Sequence, residues 1–222
     1  ILTQIKKAFV GKKDVARKIL MTMLAGGHVL LEDIPGVGKT TLAVAFSNAT
    51  DLQYKRIQFT PDVLPSDITG FSIFHRETGA MEYQPGAAIC NLLLADEINR
   101  ASSRTQSALL EAMEEGSVTV DGVTHLIPQP FTVIATQNPT GSAGTQLLPD
   151  SQLDRFMMRL SIGYPEPAAE REMLRRKHGE NHGQAVRKVA DAAALLTMRD
   201  EVSKVFVHEE LYDYIVLSLI HI

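Results

Sequence analysis

The chain has 222 residues, 45% of them hydrophobic and 22% charged, and its formal net charge at pH 7 is −4. These proportions are those of an ordinary globular protein, long enough for one large domain or for a domain with a small lid. The acidic balance argues against a general basic surface for binding nucleic acid. No apolar run approaches the roughly 20 residues of a membrane span, so membrane insertion is not expected.

The single cysteine, Cys90, excludes an intrachain disulfide, and we interpret it as a small packing residue rather than a nucleophile. Because the sequence also carries no signal peptide pattern, it predicts a cytoplasmic protein. The chain opens with Ile1-Leu2 instead of methionine, and residues 217–222 stop within an apolar segment. Reverse-translated, those last residues fit a common sequencing adapter, so we interpret them as a foreign tail on a fragment of a longer reading frame.

The first part of the chain alternates helical and strand patterns. Apolar residues at helical spacing predict a helix over residues 12–25, which Gly26-Gly27 ends. Residues 28–32 predict a buried strand, residues 41–48 the helix behind it, and residues 54–59 a second strand. Strands that alternate with helices in this way are typical of an α/β protein with a parallel sheet.

Two stretches predict hairpins that are inserted between these units. Residues 60–86 form a long polar connection, and connections of this length inside a domain are usually functional. Within it, residues 71–84 predict a hairpin that turns near Gly79. Residues 118–126 predict a second hairpin, because Asp121-Gly122 favours a tight primed turn.

The second half of the chain continues the alternation and then changes character. Residues 92–95 predict a strand buried on both faces, residues 102–115 a helix, and residues 131–136 and 158–162 two further strands. A proline-rich turn follows at 163–167, residues 168–178 predict a charged helix, and residues 184–205 predict one or two more helices. We therefore predict a core over residues 1–163 and a partial helical lid over residues 164–222.

Residues 34–41, with the sequence IPGVGKTT, connect the first strand to its helix in the manner of a phosphate-binding P-loop. Backbone N–H groups of such a turn hold phosphate oxygens, and the positive end of the helix adds to their field. Lys39 would neutralise the outer phosphates, and the Thr40 hydroxyl would ligate Mg²⁺. The predicted nucleotide-binding residues of the loop are Pro35, Gly36, Val37, Gly38, Lys39, Thr40 and Thr41.

The loop departs from the full pattern G-x-x-x-x-G-K-[ST] at one position, where glycine is replaced by Asp33. Aspartate tolerates a left-handed backbone better than most residues, so the turn can still form with the carboxylate facing away from the phosphates. The alternative is a glycine-containing strand-to-helix turn that binds no ligand.

Polar residues follow two later strands of the predicted sheet. Asp96 would help to hold Mg²⁺, and Glu97 would orient and polarise an attacking water. Asn138 ends another strand, from which an amide could reach the γ-phosphate or that water. Because ligands bind beyond the carboxyl ends of parallel strands, all three would meet the P-loop at one edge. Taken alone, the acidic pair could be a solvated strand end and Asn138 an Asn-Pro turn initiator.

Together these motifs resemble the MoxR family of AAA+ ATPases, in order over roughly residues 10–165. The segments that carry the resemblance are 27–32, 35–41, 65–70, 92–100, 106–113, 135–139 and 148–156. An aspartate at position 33 also resembles variants of that family. The resemblance implies a three-layer α/β/α P-loop core with a parallel sheet and hairpin inserts, a partial helical lid, and ATP with Mg²⁺ as cofactors.

The resemblance also implies roles for particular residues. Asn138 takes the sensor-1 position, and Arg155 matches the arginine finger that reaches the nucleotide of a neighbouring subunit. The alternative for Arg155 is a surface ion pair with Asp154 or Asp150.

Three further positions follow from the same resemblance. Val10-Gly11 matches the edge of the adenine pocket. Residues 60–86 match the helix-2 insert, and residues 116–126 match the insertion before sensor 1. A sensor-2 arginine is expected late in the lid, beyond the end of this chain.

For the whole protein, the family implies a homo-oligomer, with a hexameric ring as the expectation, that hydrolyses ATP and acts on a client protein. The client would be a protein complex or a metalloenzyme that needs maturation, reached through a partner with a von Willebrand factor A domain. Two alternatives stay open: a nucleotide-dependent switch or scaffold, and a nucleic-acid motor. The acidic charge and the lack of an aromatic-basic stripe disfavour the motor.

Overall fold

A computed structural model describes residues 1–9, 11–32, 36–77, 79–138, 148–178 and 186–220. Its strands are β1 (Val29–Glu32), β2 (Tyr54–Gln58), β3 (Gly70–His75), β4 (Ala80–Pro85), β5 (Leu92–Asp96), β6 (Ser117–Val120), β7 (Val123–Leu126), β8 (Thr132–Gln137) and β9 (Met158–Leu160). Its helices are α1 (Leu2–Ala8), α2 (Lys13–Leu24), α3 (Lys39–Thr50), α4 (Pro65–Thr69), α5 (Ser103–Glu115), α6 (Asp150–Leu153), α7 (Pro167–His178), α8 (Ala192–Ser203) and α9 (Glu209–Ile220).

Five strands form the central sheet in the order β2-β5-β8-β1-β9, and every neighbouring pair is parallel. The strand that leads into the P-loop, β1, therefore lies between β8 and β9. Because all five strands point the same way, their carboxyl ends share one edge of the sheet. This arrangement confirms the predicted α/β class and brings the ends of β1, β5 and β8 together.

Helices cover both faces of the sheet, which is why its inner strands are continuously apolar. On one face, Leu30, Leu93 and Val133 pack in a cluster with Leu109 and other residues of α5. On the opposite face, alternate strand residues such as Leu31 pack with α1, α2 and α3. The two clusters confirm the predicted three-layer α/β/α core.

Both predicted hairpins are present as separate antiparallel pairs, β3 with β4 and β6 with β7. Asp121 and Gly122 have φ values of 51° and 77°, which is the left-handed backbone that a primed turn needs. The Tyr83 and His125 rings stack with a centroid distance of 3.6 Å, so the two hairpins are in contact with each other.

The predicted helix over residues 184–205 is wrong at its start, because the described residues 186–191 are not helical. There the backbone N–H groups of Val189 and Ala190 donate to the carbonyl of Ala49, at the end of α3. Asp191 then caps α8 by accepting a hydrogen bond from the Ala194 N–H at 2.9 Å. Tertiary hydrogen bonds thus replace helical ones over these residues.

The helix α8 packs against the core, since Leu195 belongs to the same buried cluster as α2 and α3. In addition, Arg199 Nε donates to the Met23 carbonyl at 2.8 Å. By contrast, the last helix is mostly exposed, and Leu217 and Leu219 are 56% and 66% accessible. Across the described ranges, every helix is too short or too polar to cross a bilayer.

Two buried polar side chains have structural roles. Burial raises the pKa of the Cys90 thiol to about 12, so the thiol stays protonated at neutral pH and the predicted packing role is confirmed. His28 precedes β1; its Nδ1 accepts the Val133 N–H at 2.9 Å, and its Nε2 lies 3.1 Å from the Met113 carbonyl. The imidazole therefore connects β8 with the end of α5.

Candidate nucleotide-binding site

The P-loop is built on left-handed glycines. Gly36 and Gly38 have φ values of 88° and 91°, a conformation that side chains with a Cβ seldom adopt. A Cβ added to Gly38 would also lie only 3.2 Å from the Phe9 ring. Gly38 is the N-cap of α3, so the first helical turn begins where the loop ends. The N–H groups of a first turn have no acceptor within the helix itself. Asp33, Ile34 and Pro35 lie outside the described residues.

A cleft of about 400 Å³ lies at the carboxyl edge of the sheet, next to the start of α3. Its lining residues are Gly36, Gly38, Lys39, Thr40, Thr41, Arg56, Gln58, Asp96 and Glu97. Lys39 is only 9% exposed, which is unusual for an ammonium group and places a positive charge deep beside Thr40. The fold therefore brings the P-loop and the acidic pair into one cavity, as the sequence predicted.

Two neighbouring strands hold the Asp96 carboxylate. Its Oδ1 accepts from Thr136 Oγ1 at 2.6 Å, and its Oδ2 accepts from Arg56 Nη2 at 2.7 Å. The Asp96 side chain is 13% exposed, so these two hydrogen bonds take the place of contacts that it would otherwise make with water. Its position is thus determined from both sides, by β8 and by β2.

Glu97 has a φ of 57°, an uncommon left-handed conformation for a residue with a side chain. Its N–H donates to Thr136 Oγ1 at 2.9 Å, and its Oε2 accepts from Arg100 Nη1 at 2.9 Å. Thr136 therefore bridges the two acidic residues, donating to Asp96 and accepting from Glu97. Such backbone outliers persist where the surrounding contacts over-determine them, and they concentrate at functional sites.

Sequence reasoning missed three residues at this edge. Arg56 and Gln58 line the cleft from β2, and Thr136 joins the acidic pair from β8. The available signal was weak: all three lie near the carboxyl ends of predicted parallel strands. The sequence does not state which strands are neighbours, so it could not pair them with Asp96.

Asn138 directly follows β8 at the same edge, and its carbonyl lies 3.4 Å from Asn99 Nδ2, which donates to it. It is not among the residues that line the 400 Å³ cleft. The sensor-1 role of Asn138 thus stays a prediction. The neighbouring Pro139 lies outside the described residues.

A second cleft, of about 500 Å³, adjoins the first and shares Gly36, Gly38 and Thr41 with it. The other lining residues are Ala8, Phe9, Lys12, Val37, Ile162, Gly163, Tyr164, Pro165, Glu170 and Met173. Its mixture of apolar side chains and a few polar groups suits a planar base.

Only part of the predicted adenine edge can be located. Gly11 is not among the lining residues, and a Cβ placed on it would lie 2.8 Å from the Cβ of Ala169. Val10 lies outside the described residues. The residues on either side of the pair, Phe9 and Lys12, do line the cleft.

Arg155 lies away from the P-loop cleft. Its Nη1 is 2.6 Å from Glu114 Oε2 and donates to the Leu110 carbonyl at 3.1 Å, both on α5. The pair is exposed, with side-chain accessibilities of 39% and 60%. The ion pair found for Arg155 is therefore with Glu114 rather than with the alternatives Asp154 or Asp150, and the chain does not bring Arg155 to its own P-loop.

The donors in the cleft suit a nucleotide with Mg²⁺. A lysine and helix N–H groups match phosphate oxygens, and the Thr40 hydroxyl with the Asp96 carboxylate offers the hard oxygen ligands that Mg²⁺ prefers. Within the described ranges, no group of three or more histidine, cysteine or acidic side chains could hold a metal. Few protein ligands are expected where Mg²⁺ also takes oxygens from phosphates and water.

Comparisons with known proteins agree with this geometry. Residues 28–158 match the family described as "ATPase family associated with various cellular activities (AAA)". The chain is 48% identical over 212 residues to the uncharacterised protein YeaC of Bacillus subtilis, covering 96% of the chain and 66% of YeaC. It is 41% identical over 213 residues to Chaperone MoxR1 of Mycobacterium tuberculosis, covering 96% of the chain and 56% of MoxR1.

A solved structure shows the same fold. The crystal structure of a proposed ATPase from Cytophaga hutchinsonii superposes with a TM-score of 0.88 at 40% identity, over 96% of this chain and 65% of that one. Fold and site thus define a P-loop protein of the AAA+ class. The chain belongs to the MoxR family of AAA+ ATPases. It spans 66% and 56% of the length of the two curated relatives.

Proposed function

We propose that this chain contains the ATP-binding and ATP-hydrolysing core of a MoxR-type protein that remodels or matures a partner protein complex. The observation that carries the proposal is the convergence of Lys39, Thr40, Asp96 and Glu97 on one cleft. These residues come from two segments far apart in sequence, and the parallel sheet brings their strand ends together. Cation, hydroxyl and two carboxylates form a set of groups suited to nucleotide hydrolysis.

In this proposal each group has a separate task. The P-loop N–H groups and Lys39 hold the phosphates, while Thr40 and Asp96 hold Mg²⁺. When bound, Mg²⁺ would neutralise charge on the phosphate oxygens. Glu97 orients and polarises the attacking water, and Asn138 contributes an amide near the same edge. The left-handed backbone of Glu97, directly after β5, and its place in the lining of the cleft support this role.

The base would lie in the 500 Å³ cleft, between Phe9 and the segment around Tyr164. That cleft adjoins the phosphate side at Gly36 and Gly38, so one nucleotide can occupy both. Residues 1–163 would then form the core and residues 164–222 part of a lid. Bound nucleotide would contact both parts and couple their relative position to hydrolysis.

Arg155 would complete the site of a neighbouring subunit. It is exposed and faces α5 rather than its own P-loop, which suits a residue that acts across an interface. We therefore propose a homo-oligomer, with a hexameric ring as the family expectation, that turns over ATP only when assembled. A trans arginine of this kind can contribute about 10³–10⁵ in rate.

The client is inferred from the relatives alone. MoxR1 is named a chaperone, and we extend that role to the full-length protein of this chain. A client complex or metalloenzyme, reached through a partner with a von Willebrand factor A domain, and a cytoplasmic location complete the proposal. Capture of the client by the ATP-bound but not the ADP-bound protein would test this part.

The hydrolytic role is tested with Glu97→Gln in the full-length protein. ATP binding should stay nearly intact, because the amide keeps the shape of the side chain, while turnover falls by about 10²–10⁴. The matched control is Glu115→Gln, an exposed position at the end of α5 that should keep wild-type turnover. Equal turnover in Glu97→Gln and wild type would remove Glu97 from the mechanism.

A further inference from the structure

Arg56 enters the cleft from the edge strand and meets Asp96. It lies on β2, two positions before Gln58, which is the residue in register with Asp96. Its guanidinium thus reaches along the strand toward the carboxyl edge, where Nη2 lies 2.7 Å from Asp96 Oδ2 and 3.0 Å from Gln58 Oε1. Both Arg56 and Asp96 line the P-loop cleft beside Thr40.

The contact lies on a carboxylate oxygen that a divalent cation would also use. Asp96 Oδ1 already accepts the Thr136 hydroxyl at 2.6 Å, and Oδ2 takes the guanidinium. A cation held by Asp96, directly or through a ligand water, requires one of these oxygens. A guanidinium and a divalent cation also repel each other at such distances. Arg56 and the cation are therefore alternative partners of Asp96.

The surroundings of Arg56 allow the exchange. Its side chain is 45% exposed, whereas that of Asp96 is 13% exposed, so the arginine rather than the aspartate has room to move. Gln58 offers the same Nη2 a second acceptor, which stays available after Asp96 is released. Thr136 keeps the carboxylate in place during the change.

We propose that Arg56 is a built-in counter-ion of Asp96, which it neutralises until a divalent cation binds with the nucleotide and displaces it. Arg56 thereby sets the apparent affinity of the site for the cation, and its displaced guanidinium stays in the cleft beside the phosphates. This inference rests on the proposed function, since it assumes that Asp96 serves the cation of a nucleotide site.

Removing a residue from a binding site usually weakens binding, but the proposal predicts that removal of Arg56 strengthens cation binding. Removing Arg56 frees Asp96 and should strengthen cation binding by about tenfold, the equivalent of one charge-assisted hydrogen bond. If Arg56 instead stayed on Asp96 and merely positioned it, its removal would weaken the cation or leave its affinity unchanged. The direction of the change separates the two roles.

The experiment measures Mn²⁺ binding to the full-length protein by electron paramagnetic resonance, with and without a non-hydrolysable ATP analogue. Arg56→Gln should bind Mn²⁺ about tenfold more tightly than wild type. Arg56→Lys, which keeps the charge, should stay near wild type and guards against a folding defect in the first variant. The matched control is Arg17→Gln, which loses an exposed pair with Asp14 on α2 and should not change the affinity.

Mn²⁺ affinity in Arg56→Gln that is equal to or weaker than in wild type would overturn the inference. The measurement without nucleotide distinguishes a failure of this inference from a failure of the proposed function. A wild-type protein that binds no analogue would reject the nucleotide site, whereas tighter Mn²⁺ binding by Arg56→Gln in the absence of analogue would still support competition at Asp96.

Discussion

The P-loop cleft and the surface around Arg155 differ in how firmly their polar side chains are held. In the cleft, the Asp96 side chain is 13% exposed and accepts hydrogen bonds from Thr136, on the wholly buried strand β8, and from Arg56, on the edge strand β2. At the Arg155 surface, one exposed ion pair with Glu114 and one carbonyl contact hold the arginine. Exposed pairs contribute only about 0–1 kcal/mol, so Arg155 can exchange Glu114 for another anion at little cost.

The comparison separates side chains that the fold of one chain positions, such as Asp96, from side chains such as Arg155 that can bind a second molecule. The sheet determines the cleft within a single chain, because its strands cannot shift without exposing the core. Arg155 has no such constraint and can adjust to a phosphate presented by a second copy.

The strongest test mixes two inactive variants. Arg155→Ala should lower turnover of the assembled protein by about 10³-fold, as expected for a trans arginine. Lys39→Ala should abolish nucleotide binding in its own subunit while keeping Arg155. Mixing the two variants should restore part of the activity, because an Arg155→Ala subunit keeps an intact P-loop and its Lys39→Ala neighbour supplies the arginine. Turnover is measured across a range of mixing ratios.

The control for this test is Arg104→Ala, an exposed arginine in the first turn of α5. It should behave as wild type both alone and in mixtures. If no ratio of Arg155→Ala to Lys39→Ala restores turnover, the shared site is wrong and the two regions are independent.

A second test concerns the buried scaffold beneath the cleft. Burial lowers the pKa of His28 from 6.5 to about 4, because the imidazole is desolvated. Between pH 6.5 and about pH 4, His28 is therefore protonated in the unfolded chain and neutral in the folded chain. The contribution of His28 to the free energy of unfolding should be fully present above pH 6.5 and be lost as the pH drops toward 4, by about 3.5 kcal/mol in all at about 1.4 kcal/mol per pH unit.

This pH dependence is measured by urea unfolding across that range. His28→Gln keeps a donor and an acceptor but does not titrate, so its stability should fall less steeply than that of wild type. A slope that is unchanged in His28→Gln would mean that the imidazole does not govern acid stability.

The smallest effect is expected at Glu114. Glu114→Gln removes the anion that competes for Arg155, so assembly should strengthen by about 0.5 kcal/mol, a two- to threefold change. The measurement is the protein concentration at which turnover reaches half its maximum, which should decrease at low salt and return to the wild-type value at high salt. Glu115→Gln is the neighbouring control. A higher half-maximal concentration for Glu114→Gln would instead assign Glu114 a supporting role in positioning Arg155.

Much of the cleft could be predicted because its signals are local. Gly36 and Gly38 take the left-handed backbone that a P-loop turn requires, and such a requirement is visible in the residue type itself. The Asp121-Gly122 turn is predictable for the same reason. Asp96 follows a wholly apolar strand, and parallel strands place their carboxyl ends at one edge, so its meeting with Lys39 follows from topology.

Other features depended on which elements become neighbours. Arg56 reaches Asp96 only because β2 pairs with β5, and Glu97 receives a bond from Thr136 only because β5 pairs with β8. Residues 186–191 are not helical because Val189 and Ala190 bond to the end of α3, against their own helical pattern. Arg155 finds Glu114 rather than a nearby aspartate for a similar reason.

The class of fold, the P-loop pattern and the succession of strands along the chain follow from the residues, because turn conformation and hydrophobic periodicity are short-range properties. The partners of Asp96, Glu97 and Arg155 follow only from the folded arrangement. Strand order in the sheet and helix packing bring together residues that are many positions apart, and no local preference encodes those distances.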